Sequence, residues 1–390
     1  MRFSIKRVGD VIDEIAMGPF GSNIKVDCFV PNGIPVLNGS NLVGFTLVEK
    51  SFNYVTPEKA AALKKAVASR GDIVITHRGT LGQIVYIPAN SKHEKYVISQ
   101  SQFRVKCKES EILPEYMVYF FHSRGGQHQL LSNSSQVGVP ALARPSSTFQ
   151  ELKIPVPSIR EQQIIVTTLR SLNDKIAVNA KINHHLEQMA QAIYKSWFVD
   201  FEPWGGVMPN CWREAELGDV AILSAGGDKP SVCSPKMTAE CIVPVFSNGI
   251  DNFGLYGYTD RPQITVESVT VSARGTIGYV CLRQEPFVPI VRLVTAIPNN
   301  IFITAKYLFL YLSSSHIAGV GTTQQQLTVP DFKKYRILVP NLDVVEDFTR
   351  TVDQMFDAIH HKREENARLA KTRDALLPRL MAGELSVAIK

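Results

Sequence analysis

Apolar side chains between Ile165 and Trp197 recur in alternating steps of four and three: Ile165, Leu169, Leu172, Ile176, then Leu186, Ala190, Ile193 and Trp197. Polar Asn179 and Asn183 occupy the two central layers. A mean step of 3.5 residues is the repeat of a coiled-coil seam, so the pattern predicts a long helix whose stripe faces another helix. Adding 183 to each position reaches Phe348, Val352, Met355, Ile359, Lys362, Asn366, Leu369, Arg373, Leu376 and Leu380, in the same phase and without an insertion. Each stretch follows a proline, then Ser158 or Asn341, then acidic residues, as helix N-termini prefer. Ends 32 residues apart (197 − 165) correspond to about 50 Å of helix. Pro378 cannot donate a helical hydrogen bond, so the second helix is expected to end or kink near it, leaving Leu380 its least secure seam position.

The segments before the helices have a different pattern. "DIVITHRGTLGQIVYIP" and "SVTVSARGTIGYVCLR" are alternating β-branched runs interrupted by one pentapeptide written twice, 196 positions apart (274 − 78). Further pairs recur in the same order: Pro35-Val36 with Pro244-Val245, "EYMVYFF" with "KYLFLYL", and "TFQELKIPVP" with "DFKKYRILVP". Ordered matches of this kind mark an internal duplication. The strand-like runs and the two helical heptapeptides predict an α+β head in each half. The expected domains are 1–157, a first head; 158–202, a first spacer helix; 203–340, a second head; and 341–390, a second spacer helix with a tail. A pseudo-twofold relation would set the helices as an antiparallel coiled coil. Summing positions about that axis (165 + 380 = 545) pairs Asn179 with Asn366 and Asn183 with Lys362, polar layers suited to fixing alignment and equally suited to facing solvent or a partner protein.

Composition narrows the class. The chain has 390 residues, 45% hydrophobic and 20% charged, and no uninterrupted apolar run long enough for a membrane helix, so a cytoplasmic globular protein without a membrane partner is expected. Six cysteines without CxxC spacing argue against structural zinc or a disulfide framework. The net charge of +6 arises within residues 1–157, which hold 18 Lys and Arg against 12 Asp and Glu. That excess fits contact with phosphates and equally fits an ordinary solvated surface.

Beside RGTLG and RGTIG stand "GPFGSNIK" (18–25), "LKIPVPSIREQQ" (152–163), "WFVDFEP" (197–203) and "LLPRLMAGEL" (376–385). With these stretches the full layout resembles the DNA specificity subunits of type I restriction-modification systems. The second half departs from it, with "SAGGDKPS" (224–231) where the first has GPFGSNIK, and "LDVVEDF" where the first helix begins "IREQQII". The resemblance implies two target recognition domains reading a bipartite, asymmetric sequence in double-stranded DNA. It also implies helices that dock two modification subunits, with restriction subunits completing the complex. S-adenosylmethionine, ATP and magnesium would then belong to those partners, with no cofactor in this chain and no catalysis by it. The absence of NPPY-like, GxxxxGK[ST] and HExxH motifs agrees with that expectation. A coiled-coil scaffold with two protein-binding heads is the alternative.

Candidate DNA contacts follow from exposed-loop chemistry. A phosphate loop needs a helix after its glycines, whereas RGTLG and RGTIG are followed by strand-like runs, so they read as hairpin tips. Arg78, Thr80, Arg274 and Thr276 at those tips could hold phosphate, and either arginine could brace its own turn instead. Ser22, Asn23 and Lys25 form a polar loop after two glycines. Gln100, Gln102, Gln324, Gln325 and Gln326 carry groups able to pair with adenine, and each could also line a core or face solvent. The helix seam comprises Ile165, Leu169, Leu172, Ile176, Leu186, Ile193, Phe348, Val352, Met355, Ile359, Leu369 and Leu376. No metal site is expected, and His184-His185 and His360-His361 read as solvated helix faces.

Overall fold

The computed structural model of the chain describes residues 3–19, 23–132, 134–135, 138–317, 319 and 326–385. Two compact units emerge, Met1–Val178 with Glu365–Lys390, and Asn179–Glu364. Each contains one α+β head and one half of each long helix.

In the first unit a four-stranded antiparallel sheet has the order Ile12–Met17, Gln102–Cys107, Ile73–Thr76, Ile84–Tyr86. A second sheet orders Asn53–Val55, Ile34–Val36, Lys95–Val97 and Val67–Ser69, with Val36 and Val97 paired in parallel. Residues Ile73 to Thr76 are all buried, so the run lacks the alternation of a half-exposed strand and reads as continuously apolar. The helix Pro114–His122 is almost wholly buried, and Tyr116 donates its hydroxyl to the Pro155 carbonyl at 2.9 Å. Strand Ser4–Arg7 pairs with Lys153–Val156.

The second unit repeats this wiring. Its antiparallel sheet runs Ala221–Ala225, Val294–Pro298, Ser268–Val271, Val280–Arg283, and its smaller sheet runs Leu255–Thr259, Val243–Phe246, Val288–Pro289 with the last pair parallel. Helix Ala305–Ser314 stands in place of Pro114–His122, and Tyr307 donates to the Leu338 carbonyl at 2.7 Å. Strand Arg213–Glu216 pairs with Arg336–Val339. Among the described residues the three-stranded sheet has no strand equivalent to Val67–Ser69.

Both long helices form, Ile159–Phe198 and Leu342–Met381, each of 40 residues. The first opens on a capping box: the Glu161 amide donates to Ser158 Oγ at 3.3 Å, and the Ser158 amide donates back to the Glu161 carboxylate at 3.1 Å. Such a cap stabilises a helix by about 1 kcal/mol. Within the first unit the two halves run antiparallel, since Asn173 meets Arg373 and the Ile176 carbonyl meets Asn366. Within the second unit Glu187 meets Arg363 while Tyr194 stacks on Phe348, again antiparallel.

Among the expected seam residues Ile165, Leu169, Phe348, Val352 and Ile359 are buried, and Leu172, Ile176, Leu186, Ile193, Met355, Leu369 and Leu376 are half-buried. Val166, Tyr194, Phe198, Val345, Phe356, Leu377 and Met381 are buried as well. They form a second stripe because each helix half packs on its head in addition to the other helix, which widens the apolar face beyond a two-helix seam. Asn179 and Asn183 point inward, and Asn366 is half-buried with its amide on the Ile176 carbonyl. The second helix continues three residues past Pro378, which occupies its last turn; Leu380 is buried there, and the chain leaves through Gly383 at φ 70°.

Candidate nucleic-acid interface

In both heads the repeated pentapeptide forms the tip of a hairpin. Ile73–Thr76 enters and Ile84–Tyr86 leaves in the first; Ser268–Val271 enters and Val280–Arg283 leaves in the second. Both glycines of each copy have positive φ, 92° and 85° for Gly79 and Gly82, 70° and 82° for Gly275 and Gly278. A side chain at these positions would be strained, which explains the G-x-x-G spacing without any anion.

Around the first tip several loops converge. A returning segment lies alongside it, with the Gly79 amide donating to the Pro140 carbonyl and the Leu142 amide to the His77 carbonyl, both at 2.8 Å. Gln83 accepts from the Thr76 hydroxyl at 2.9 Å and donates to the Gly39 carbonyl at 3.0 Å, tying the Asn38-Gly39 loop to the tip. The His77 amide donates to the Ser101 carbonyl, and its Nε2 bonds the Gln100 carbonyl at 3.1 Å. Burial lowers the His77 pKa despite that bond, keeping the ring largely neutral at pH 7.

Arg78 and Thr80 are exposed on this tip. Among the described residues the Arg78 guanidinium makes no hydrogen bond or ion pair. Gln100 is exposed, in the loop that its carbonyl anchors. Gln102 is 1% exposed, and its carboxamide oxygen accepts from the Ser99 amide at 2.9 Å. Its role here is to hold the 99–102 turn. Gly18 packs on that turn so closely that a Cβ would lie 1.9 Å from the Ser99 carbonyl oxygen. Asn23 and Lys25 are exposed beyond it, and Ser22 lies outside the described residues.

The second tip is held by different side chains. The Ala273 amide donates to Asn248 Oδ1 at 2.7 Å, and Asn248 Nδ2 donates to the Val291 carbonyl at 2.6 Å. The Leu327 amide donates to the Ala273 carbonyl at 3.1 Å, so a returning segment flanks this tip too. Arg274 is exposed and donates to Gln326 Oε1 at 3.2 Å; Thr276 is exposed with its carbonyl bonded by the Ser272 hydroxyl. Gln324 and Gln325 lie outside the described residues. The bracing residues His77, Gln83 and Asn248 were missed from sequence, as were both returning segments. One signal was present: Asn-Gly recurs at 38–39 and 248–249, beginning two residues after Val36 and three after Val245 of the Pro-Val pairs.

Each head thus presents an exposed arginine at a hairpin tip, surrounded by loops that differ between heads. Among the described residues no group of three or more His, Cys, Asp or Glu side chains could hold a metal ion. Among those residues no helix is long and apolar enough to cross a membrane.

The family model for the type I restriction modification DNA specificity domain matches twice, over residues 28–188 and 209–369. The chain belongs to that family. Similar proteins include the specificity subunit of the type I restriction enzyme MjaIX from Methanocaldococcus jannaschii, 24% identical over 99% of this chain and 94% of that one. The specificity subunit of the type I restriction enzyme HindI from Haemophilus influenzae is 23% identical over 83% and 88%. A crystal structure of the S subunit of a type I restriction-modification system from M. genitalium has the same fold, with TM-score 0.59 and 15% identity over 99% and 97% of the two chains. As a specificity subunit, the chain is a non-catalytic, DNA-recognising member of a type I complex, and its two family matches correspond to the internal repeat.

Proposed function

We propose that residues 1–157 and 203–340 are the two reading heads, each taking one half of a split DNA target. In this reading Arg78 and Arg274 sit on phosphate, with Thr80 and Thr276 beside them. Asn23, Lys25, Gln100 and the loops around the tips approach the bases, and Ser22, Gln324 and Gln325 belong with those loops. The observation that carries it is an exposed arginine on the same positive-φ glycine turn in two heads whose surrounding loops differ. An element common to both heads suits the phosphate backbone, which every target shares, whereas readout of two different half-sites must come from what differs.

Residues 158–202 and 341–390 then act as the ruler between half-sites. Forty helical residues span about 60 Å, roughly 18 base pairs at 3.4 Å each. The same helices dock the two modification subunits, and restriction subunits complete the assembly. S-adenosylmethionine is used by the former and ATP with magnesium by the latter, in the cytoplasm where such a complex meets DNA.

Nuclease protection with the assembled complex tests the reading. Two short protected blocks at fixed separation are expected. Sequence-independent protection, or none in the presence of modification subunits, would leave a protein-binding scaffold as the better account.

A further inference from the structure

In each unit an arginine of the second long helix lies between the first long helix and a phenylalanine of the head. The Arg363 guanidinium is 4.4 Å from the Phe253 ring centre and donates to Glu187 at 2.8 Å. The Arg373 guanidinium is 5.2 Å from the Phe45 ring centre and donates to Asn173 at 3.0 Å. Phe45 and Phe253 occupy matching places, in the loop after each Pro-Val strand, at an offset of 208 (253 − 45). A guanidinium that stacks on a ring while its fork bonds a second group fixes both partners in angle, which a flexible ammonium does less well.

The Phe253 loop is under backbone strain. Asn252 and Phe253 have φ of 47° and 58°, adjacent non-glycine residues in the left-handed region. The loop is held shut on both sides: Arg283 donates to the Phe253 carbonyl at 2.8 Å, and the Ser247 amide to the Gly254 carbonyl at 2.8 Å. Asn248, in the same loop, is the residue that receives the Ala273 amide beside Arg274. In the first head the Asn38-Gly39 loop precedes Phe45, and Gly39 receives Gln83 beside the RGTLG tip. A short bonded path therefore joins each helix arginine to its recognition tip.

We propose that these two Phe-Arg clasps are positioning devices that set the angle of each recognition tip against the helices of its own unit. A displacement of the helices at Arg363 or Arg373 then reaches the tip through the Phe253 or Phe45 loop. The inference rests on the reading of the tips as DNA-facing.

The test uses the full chain assembled with its modification subunits, as wild type, Arg363→Met, Arg363→Lys and Arg373→Met. Methionine keeps an unbranched stem and removes the planar cation. Discrimination at each half-site is read by selection from random DNA, and tip order by hydrogen exchange of the 272–279 and 76–83 amides. Arg363→Met should lose about tenfold or more discrimination at the second head's half-site only, with faster exchange at 272–279. Arg373→Met should do the same at the first, and Arg363→Lys should fall between wild type and Arg363→Met. Equal loss at both half-sites with unchanged tip exchange means a merely structural role and overturns the proposal. So does unchanged discrimination together with unchanged exchange. If wild type itself shows no split target, the DNA reading fails, and the exchange measurement alone decides the clasp.

Discussion

Arg78 and Arg274 occupy the same place in two copies of one turn, yet one guanidinium is without a partner among the described residues and the other is shared with Gln326. A group that contacts phosphate adds counterion release without sequence information. Arg78→Ala and Arg274→Ala should each weaken DNA binding about equally across sequences and reduce the magnitude of the salt slope by about 1, with half-site preference unchanged in a binding titration over salt. A change in preferred sequence would move these residues from positioning to readout. His122 gives a different kind of prediction. Its ring sits 4.4 Å from Phe45, its Nε2 bonds the Ile84 carbonyl at 2.8 Å, and burial, with Arg373 nearby, lowers its pKa; His77 is lowered as well. Between the lowered folded value and the ordinary value near 6.5, the unfolded chain binds more protons, so stability rises with pH there. Acidification from pH 7 toward 5 should therefore lower the thermal midpoint, and His122→Phe should flatten part of that slope.

At the scale of elements the two long helices do two jobs at once. One stripe meets the other helix and a second stripe meets the head, which is why Phe348, buried among Tyr194, Phe198 and Tyr307, belongs to both. Truncating such a side chain to alanine costs ~3–5 kcal/mol. Four residues added to one or both long helices should lengthen the tolerated gap between half-sites while leaving the half-sites themselves unchanged, as read by methylation mapping. Altered half-sites with an unaltered gap would refute the ruler.

The two halves of the molecule share their wiring down to single bonds. Tyr116 with Pro155 and Tyr307 with Leu338 are the same contact at offsets of 191 and 183. One equivalent pair is reversed in sign: Glu115 binds Arg170 in the first unit, and Lys306 binds Asp353 at 2.7 Å in the second. Head and helix are therefore matched by charge within each unit. Transplanting residues 203–340 in place of 1–157 on unchanged helices would set Lys306 against Arg170. The thermal midpoint of that chimera should fall by a few degrees, the equivalent of ~1 kcal/mol, and Lys306→Glu in the transplant should recover it.

Much of this was legible from the chain alone because duplication and helical phase are local, periodic signals. Seam residues recurred at fixed steps, the RGTLG and RGTIG runs were bounded by strand patterns, and their glycines had a turn's spacing. Surface chemistry was less legible. Gln100 and Gln102 are two positions apart with the same side chain, yet one is exposed and the other is closed over the Ser99 amide: Gln100 sits in the turn and Gln102 opens the strand, so the period-two rule that would put both on one face does not reach Gln100. The sequence by itself determined the repeat, the two helices in phase and the hairpin tips. Only the tertiary structure decided that Asn248 braces Ala273, and that Arg373 joins Phe45 to Asn173 across 200 positions (373 − 173). The physical reason is range: periodicity reports what lies on one face of one element, while a contact between distant residues depends on the path the whole chain takes to bring those faces together.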